Sequence, residues 1–179
     1  MTVNKSRYDG VSLSAASKRT EDGKSFVVSS KLSAVNAGGV VRWLVKSVNK
    51  TVIVTNRVIT TNGNELTYRA YALPVVTSNG TLIPASPLNI AQSLTPTVKI
   101  YSSPTVSDPG VPLSPSYLPG TVGQGNSSSG NLYANEQENV IPPNTTLMLE
   151  VKNDGSKNPA SIELYVVWSE VDDPAPFQD

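Results

Sequence analysis

The stretch NTTLMLEVKNDGSKNPASIELYVVW, from Asn144 to Trp168, predicts two β-strands joined by a tight turn. Every second residue is apolar in each strand: Leu147, Leu149 and Val151 in the first, and Ile162, Leu164, Val166 and Trp168 in the second. Successive side chains of a strand point to opposite faces, so this period places one set in a core. The stretch therefore predicts a closing hairpin with one face in the core. The alternation does not show what the other face contacts.

Further strands are predicted upstream of this stretch. Strands are predicted over 26–32, 40–48, 51–61, 65–73 and 95–103. Asn49-Lys50 is short enough for a hairpin turn, and Asn62-Gly63 favours a type I′ turn, so three antiparallel strands are expected in direct succession. Seven or eight short strands with almost no helix predict an all-β fold, an antiparallel β-sandwich of which the jelly roll is one form.

Three segments fall outside this strand pattern. Residues 1–24 are polar without a clean period and are interpreted as an extended N-terminal arm, in which a short helix over 12–18 is left open. A loop rich in Pro, Gly and Ser is predicted over 104–131, and a loop of that length is usually functional or ordered by a neighbour. The predicted organisation is an arm at 1–24, a sandwich domain at 25–171 and a C-terminal tail at 172–179.

Charge is balanced over the chain but unevenly placed. There are 14 basic and 14 acidic residues, so the basic excess of a nucleic-acid binder is missing. Residues 25–135 carry seven basic and two acidic groups, whereas 136–179 carry two basic and nine acidic groups. This split favours contacts within the chain or between copies, although solvated faces can also differ by chance. No apolar run approaches the roughly 20 residues of a membrane-spanning helix, so no membrane partner is expected.

Catalytic chemistry is narrowly limited because the chain has no His and no Cys. A Ser-His-Asp triad and a Cys nucleophile are excluded, and zinc would need carboxylates alone. Paired carboxylates remain for glycoside hydrolysis, with Glu136 and Glu138 or Asp172 and Asp173 as candidates. Neither pair borders an obvious cleft, so solvated acids are the simpler interpretation. We expect no enzyme activity, no cofactor and no metal.

Two loop motifs are rejected. The glycines at 120, 123 and 125 follow a Pro-rich loop, and no helix opens after them, whereas a phosphate-binding fingerprint needs a strand before and a helix after. The prolines at 109, 112 and 115 fit a PxxP spacing, but turn prolines of a structured loop explain them better.

Apolar residues occur on both faces of several strands. Trp43 and Trp168 are in phase with aliphatic neighbours and are predicted to lie in the core. Four apolar residues fall on the opposite face: Leu44, Met148, Tyr165 and Val167. Such residues indicate either a central buried strand or a contact with another subunit. Subunit contact is preferred, since no amphipathic helix is available to cover an outer face.

The order of segments resembles a known group of proteins. The chain runs through KLSAVNAGGVVRWLVKS, NRVITTNGNELTYRAYALP and PTVKIYSSPTVSD, and closes with NVIPPNTTLMLEVKNDGSKNPASIELYVVWSEV. It resembles small virion proteins of tailed bacteriophages that have a jelly-roll or tumour-necrosis-factor-like sandwich and are best associated with capsid decoration, or cementing. The resemblance covers approximately residues 25–171.

The resemblance implies no catalytic residues. It implies homotrimers that dock on the outer surface of the major capsid protein shell, and hence a place on the capsid exterior after synthesis in the bacterial host cytoplasm. The arm at 1–24 and the loop at 104–131 are candidates for capsid and inter-trimer contacts.

One alternative function is a tail or head-fibre module that binds a host receptor or glycan through Tyr101, Tyr117 and Tyr133. Another is a glycan hydrolase that uses Glu136 or Glu138.

Overall fold

The computed structural model describes residues 14–62, 64–91, 94–113, 116–118, 139–155 and 159–172. In chain order the elements are α1 (Ala15–Glu21), β1 (Ser25–Val35), β2 (Val40–Lys46), β3 (Thr51–Thr61), β4 (Leu66–Ala72), β5 (Val75–Ser78), β6 (Thr81–Ile83), β7 (Ser86–Pro87), β8 (Lys99–Ser102), β9 (Thr105–Asp108), β10 (Val111–Pro112), β11 (Ser116–Leu118), β12 (Asn139–Ile141), β13 (Thr146–Asn153) and β14 (Ala160–Val171).

Two antiparallel sheets form the body of the protein. Sheet A has the strand order β12-β3-β14-β1-β7. Sheet B has the order β10-β4-β13-β2-β8-β6, and β11 also pairs with β4. Strands β5 and β9 form a separate two-stranded ribbon. The predicted all-β antiparallel sandwich is confirmed, and its jelly-roll form stays a prediction.

The main core lies between the two sheets and contains the inward residues that the alternation predicted. Trp43 and Trp168 are 0% and 1% exposed, which confirms both as core residues. The ring of Trp168 packs 5.9 Å from that of Phe26 across the β1–β14 ladder. The Trp43 indole Nε1 donates to Ser30 Oγ at 3.0 Å and so links sheet B to sheet A. Each tryptophan contributes a large apolar surface while its N–H keeps an acceptor.

The predicted hairpins are wrong, including the closing hairpin. Strands β2, β4 and β13 lie in sheet B, whereas β3 and β14 lie in sheet A, so each short connection passes from one sheet to the other. After β2, the backbone N–H of Ser47 donates to Thr145 O, and the Ser47 hydroxyl donates to Pro142 O. These bonds hold the end of β2 beside β13 while the chain turns toward sheet A. Period-two alternation shows which face of a strand is buried. It does not show whether the strand pairs with its neighbour in the chain or with a strand of another sheet, because the same face is buried in both cases.

The predicted loop over 104–131 is wrong in its first half. Residues 104–118 contain β9, β10 and β11, which pair with β5 or β4. The remainder, 119–131, lies outside the described residues. These strands are only two to four residues long, and alternation needs a longer run to be recognised.

The second half of the predicted arm is a helix joined to the sandwich. Helix α1 starts after Ser14, whose side chain accepts from the Ser17 N–H, and it ends at Glu21. The Lys24 carbonyl accepts from the Glu170 N–H at 2.8 Å, and Thr20 Oγ1 donates to Ser25 Oγ at 3.1 Å. Residues 1–13 lie outside the described residues, as do residues 173–179 of the tail.

The ribbon is built from two similar segments thirty positions apart. In each, a left-handed residue and a proline precede a ribbon strand, at Leu73 (φ 57°) and Ser103 (φ 55°). In each, a left-handed glycine follows the ribbon strand, at Gly80 (φ 83°) and Gly110 (φ 87°). The strands after the glycines then exchange partners, since β6 pairs with β8 and β10 pairs with β4. The two segments are therefore related by an approximate two-fold axis.

Candidate interaction surface

The ribbon covers the centre of the outer face of sheet B. A second apolar cluster lies beneath it. Tyr71, Met148, Leu44 and Tyr101 form one row across β4, β13, β2 and β8, and Val76 and Val106 of the ribbon belong to the same cluster. Leu44 and Met148 are fully buried. The prediction that they reach another subunit is wrong, because the chain supplies its own cover from β5 and β9. The sequence signal that was available is the thirty-residue spacing of Tyr71-x-x-Pro74-x-Val76 and Tyr101-x-x-Pro104-x-Val106.

The rest of that face is ionic. The Arg42 guanidinium contacts Glu150 Oε2 at 2.8 and 2.9 Å across the β2–β13 ladder. On the neighbouring strand β4, the Arg69 guanidinium donates a hydrogen bond to the Tyr71 side chain, which raises the pKa of Arg69. Nearby, hydrogen bonds from Lys152 and Thr67 hold the pKa of Asp154 below its usual value. The charged groups of this face therefore pair with one another.

The outer face of sheet A is different. We define the A face as three rows across β1, β14 and β3: Val27–Val167–Asn56, Ser29–Tyr165–Val58 and Lys31–Glu163–Thr60. All nine side chains are partly or well exposed. In the described part of the chain, no further element packs over these rows. Tyr165 and Val167 were predicted on the face opposite the core, and the structure confirms that position.

The composition of the A face is mixed and its net charge is zero. Tyr165 lies at the centre, beside Val58, and Val27 pairs with Val167 in the next row. Ser29 Oγ donates to Glu163 Oε1 at 2.8 Å. A regular sheet face with apolar and polar residues in similar number, few charges and a central tyrosine has the character of a protein interface. A partly exposed tyrosine also loses little conformational freedom on binding.

The carboxylate candidates do not form a catalytic pair in the described residues. Asp172 makes an ion pair with Lys50, which lowers the pKa of its carboxyl group. Its predicted partner Asp173 lies outside the described residues, and so do Glu136 and Glu138. Within the described ranges, no group of three or more His, Cys, Asp or Glu side chains is arranged to hold a metal ion.

Two of the three aromatic candidates for glycan binding lie on described strands. Tyr101 lies on β8 and packs into the second cluster under the ribbon. Tyr117 is on β11, and Tyr133 lies outside the described residues. The rejected glycine motif at 120–125 also lies outside them. Of the prolines in the rejected PxxP spacing, Pro112 is part of β10 and pairs with Tyr71, as a structural proline at a sheet edge does.

Two interior charges were missed by the sequence analysis. Glu170 is 7% exposed and accepts four hydrogen bonds, from Thr97 N, Thr97 Oγ1, Val98 N and Trp168 Nε1. Arg57 lies opposite Val166 and points between the sheets. The signal for Arg57 was present, since it is in phase with Ile59 in the run TVIVTNRVITT.

Comparisons of the chain with protein-family models, curated proteins and solved structures give no significant match. Among the described residues, no helix has the length and apolar character needed to cross a membrane.

Proposed function

We propose that this chain is a structural virion protein of a tailed bacteriophage that decorates the capsid. It binds the outer surface of the major capsid protein shell and stabilises the assembled particle. Two arguments support the proposal: the sequence resemblance over residues 25–171, and the A face, which leaves Tyr165 and Val167 without a covering element among the described residues. The single observation that carries it is the contrast between the self-covered face of sheet B and the open A face.

The mechanism is thermodynamic. A protein that binds only the assembled shell stabilises that state by mass action. Copies arranged on an icosahedral lattice gain further strength through multivalency, so each interface can be modest. The proposal includes self-association as a homotrimer, with the major capsid protein as the second partner. The predicted arm at 1–24 and the loop at 104–131 belong to the proposal as further contact segments.

The sandwich suits this role because it is held at several independent places. The Trp43–Ser30 bond joins the sheets, and Glu170 ties residues 97 and 98 to β14. The Ser25 and Ser169 hydroxyls hydrogen-bond at 2.8 Å where β1 meets β14. A body with these links presents the A face in one conformation, which lowers the entropy cost of docking.

The test is binding of purified variants to particles that lack this protein. Tyr165→Asp places a charge at the centre of the A face without touching the core. We expect it to lower the occupancy of particles at least tenfold. Leu82→Asp is the matched control, because Leu82 is a half-exposed apolar residue on edge strand β6 of sheet B.

The control variant should bind like the unchanged protein. Equal occupancy for all three proteins would remove the A face from the interface. Failure of the unchanged protein to bind any capsid would overturn the decoration proposal.

A further inference from the structure

An apolar cavity lies between the two sheets beside the main core. Its volume is about 330 Å³, within the usual range of small-molecule sites. The walls come mainly from β3, β12 and β14 on one side and from β2, β4 and β13 on the other. Two small residues of β4, Ala70 and Ala72, line it. Because larger inward side chains at these positions would fill the space, the alanines account for the cavity.

The cavity is open at one edge of the sandwich. Leu113, after β10, and Val140, on β12, line it and are 44% and 60% exposed. These residues belong to the outermost parts of the two sheets at the same edge. A small molecule therefore has a route from solvent to the interior without separation of the sheets.

Arg57 is the charged side chain in the described lining of this cavity. Its guanidinium carbon lies 5.0 Å from the centre of the Tyr68 ring. The Arg57 Nε is buried without a hydrogen-bond partner. Among the described residues, no carboxylate forms an ion pair with Arg57. Arg57 is partly exposed, but a buried donor without an acceptor is costly, and its Nε lacks one.

Tyr68 adds a second donor without a partner. The residue is 2% exposed, and its hydroxyl has no hydrogen-bond partner. Burial raises the pKa of Tyr68, so the hydroxyl keeps its proton at neutral pH. The Arg57 Nε and the Tyr68 hydroxyl are thus two neighbouring buried donors without a partner, and of the two residues Arg57 lines the cavity. Buried polar groups nearly always have partners, and two neighbouring exceptions indicate a ligand.

We propose that the cavity binds a small amphipathic carboxylate, whose head group pairs with Arg57 and whose alkyl chain lies along Ala70 and Ala72. The planar guanidinium matches a carboxylate through two parallel hydrogen bonds. A cavity of about 150 Å³ holds benzene, so the present volume accommodates a chain of about ten carbon atoms. The proposal is independent of the virion function, because it uses the interior and not the A face.

The experiment is calorimetric titration of the full chain with decanoate below its micelle concentration. Decylamine, of equal chain length and opposite charge, and decanol, which is uncharged, are the comparison ligands. Trp168 lines the cavity, so its fluorescence provides a second readout. We expect one decanoate per chain, bound at least tenfold more tightly than decylamine.

Two variants test separately the charge of Arg57 and the volume of the cavity, and a third is a control. Arg57→Gln should weaken decanoate binding at least tenfold and leave decanol binding unchanged. Arg69→Gln, an exposed arginine on the outer face of sheet B, is the matched control for loss of one charge and should change neither affinity. Ala70→Leu should abolish binding of both ligands, and it keeps the test decisive if Arg57→Gln fails to fold.

The opposite results are equally clear. Equal affinity for decanoate and decylamine, or normal decanoate binding by Arg57→Gln, would overturn the role of the cation. Binding of several decanoate molecules per chain, undiminished in Ala70→Leu, would show surface adsorption and overturn the cavity site. No binding by the unchanged protein at millimolar decanoate would overturn the proposal as a whole.

Discussion

Tyr68 has a hydroxyl group that the fold buries without a partner. An unpaired buried hydroxyl carries a desolvation cost of about 1–3 kcal/mol. We therefore predict that Tyr68→Phe raises the free energy of unfolding at pH 7 by about 1 kcal/mol, since the ring and its contact with Arg57 are kept. Urea denaturation measures this change. Tyr71→Phe is the control, because the Tyr71 hydroxyl has an acceptor in Glu150 at 3.5 Å, and it should give no gain.

The same variant has a distinct alkaline profile. The pKa of Tyr68 is raised in the folded state, so the unfolded chain releases this proton first. The stability that the neutral phenol contributes is full below the ordinary pKa of about 10 and is lost as the pH rises toward the folded pKa. The advantage of Tyr68→Phe should therefore widen above pH 10. A constant difference across that range would contradict the burial of an ionisable group at this position.

Glu170 is a buried carboxylate that depends on four donors and not on a cation. Glu170→Gln replaces one acceptor oxygen with an amide that faces donors, which should cost about 2 kcal/mol. Hydrogen exchange at the amides of Thr97 and Val98 should also accelerate. Glu163→Gln, on the A face, is the control and should stay within about 0.5 kcal/mol of the unchanged protein. Equal effects of the two changes would refute the anchoring role of Glu170.

At the scale of elements, the two segments of the ribbon depend on their glycines. A Cβ at Gly80 would lie 2.1 Å from Ser102 O, and one at Gly110 would lie 2.2 Å from Ala72 O. We predict that Gly80→Ala and Gly110→Ala each cost about 3 kcal/mol, from both the left-handed backbone and the clash. Gly38→Ala is the control, since Gly38 is also left-handed (φ 73°) but has open space around its Cβ position.

That control should cost only about 1 kcal/mol. Thermal unfolding of the three variants makes the comparison. A similar loss for all three would show that backbone conformation alone matters, and that the ribbon does not lie as close to the sheet as described.

The cover that the ribbon gives to sheet B is also testable. Val106 points to the second cluster, whereas the adjacent Ser107 is exposed. Val106→Asp should detach β5 and β9, expose Leu44 and Met148, and increase dye binding to apolar surface without unfolding the sandwich. Ser107→Asp introduces the same charge on the other side of β9 and should leave dye binding unchanged. Increased dye binding in both variants, or in neither, would contradict the cover.

Sequence periodicity was informative about strands and faces but not about partners. The alternation in 146–153 and 160–171 correctly placed Trp168 inside and Tyr165 outside. It could not distinguish a hairpin from a connection between sheets, because both bury the same face. The ribbon strands β5 and β9 were not predicted, since four residues are too few to show a period-two alternation. Arg57 was in phase with the core, yet the cavity that it lines depends on Ala70 of another strand, which the fold alone brings close to it.

At the scale of the whole molecule, the outer faces of the two sheets differ in how far they are covered. Sheet B is covered by its own ribbon and compensated by ion pairs such as Arg42–Glu150. The A face is open in the described part of the chain, and its neutral, mixed surface suits protein contact. The sequence is unevenly charged, net +5 over 25–135 and net −7 over 136–179, and in the described residues Arg42–Glu150 and Lys50–Asp172 pair charges of the two segments within one chain.

The measurement that tests the decoration proposal most directly is the abundance of this chain in purified particles of its source virus, relative to the major capsid protein, by quantitative mass spectrometry. The account predicts a ratio near one or a simple fraction set by the capsid lattice. A handful of copies per particle would instead place the protein at the tail or a vertex. Its absence from the particle would contradict the account.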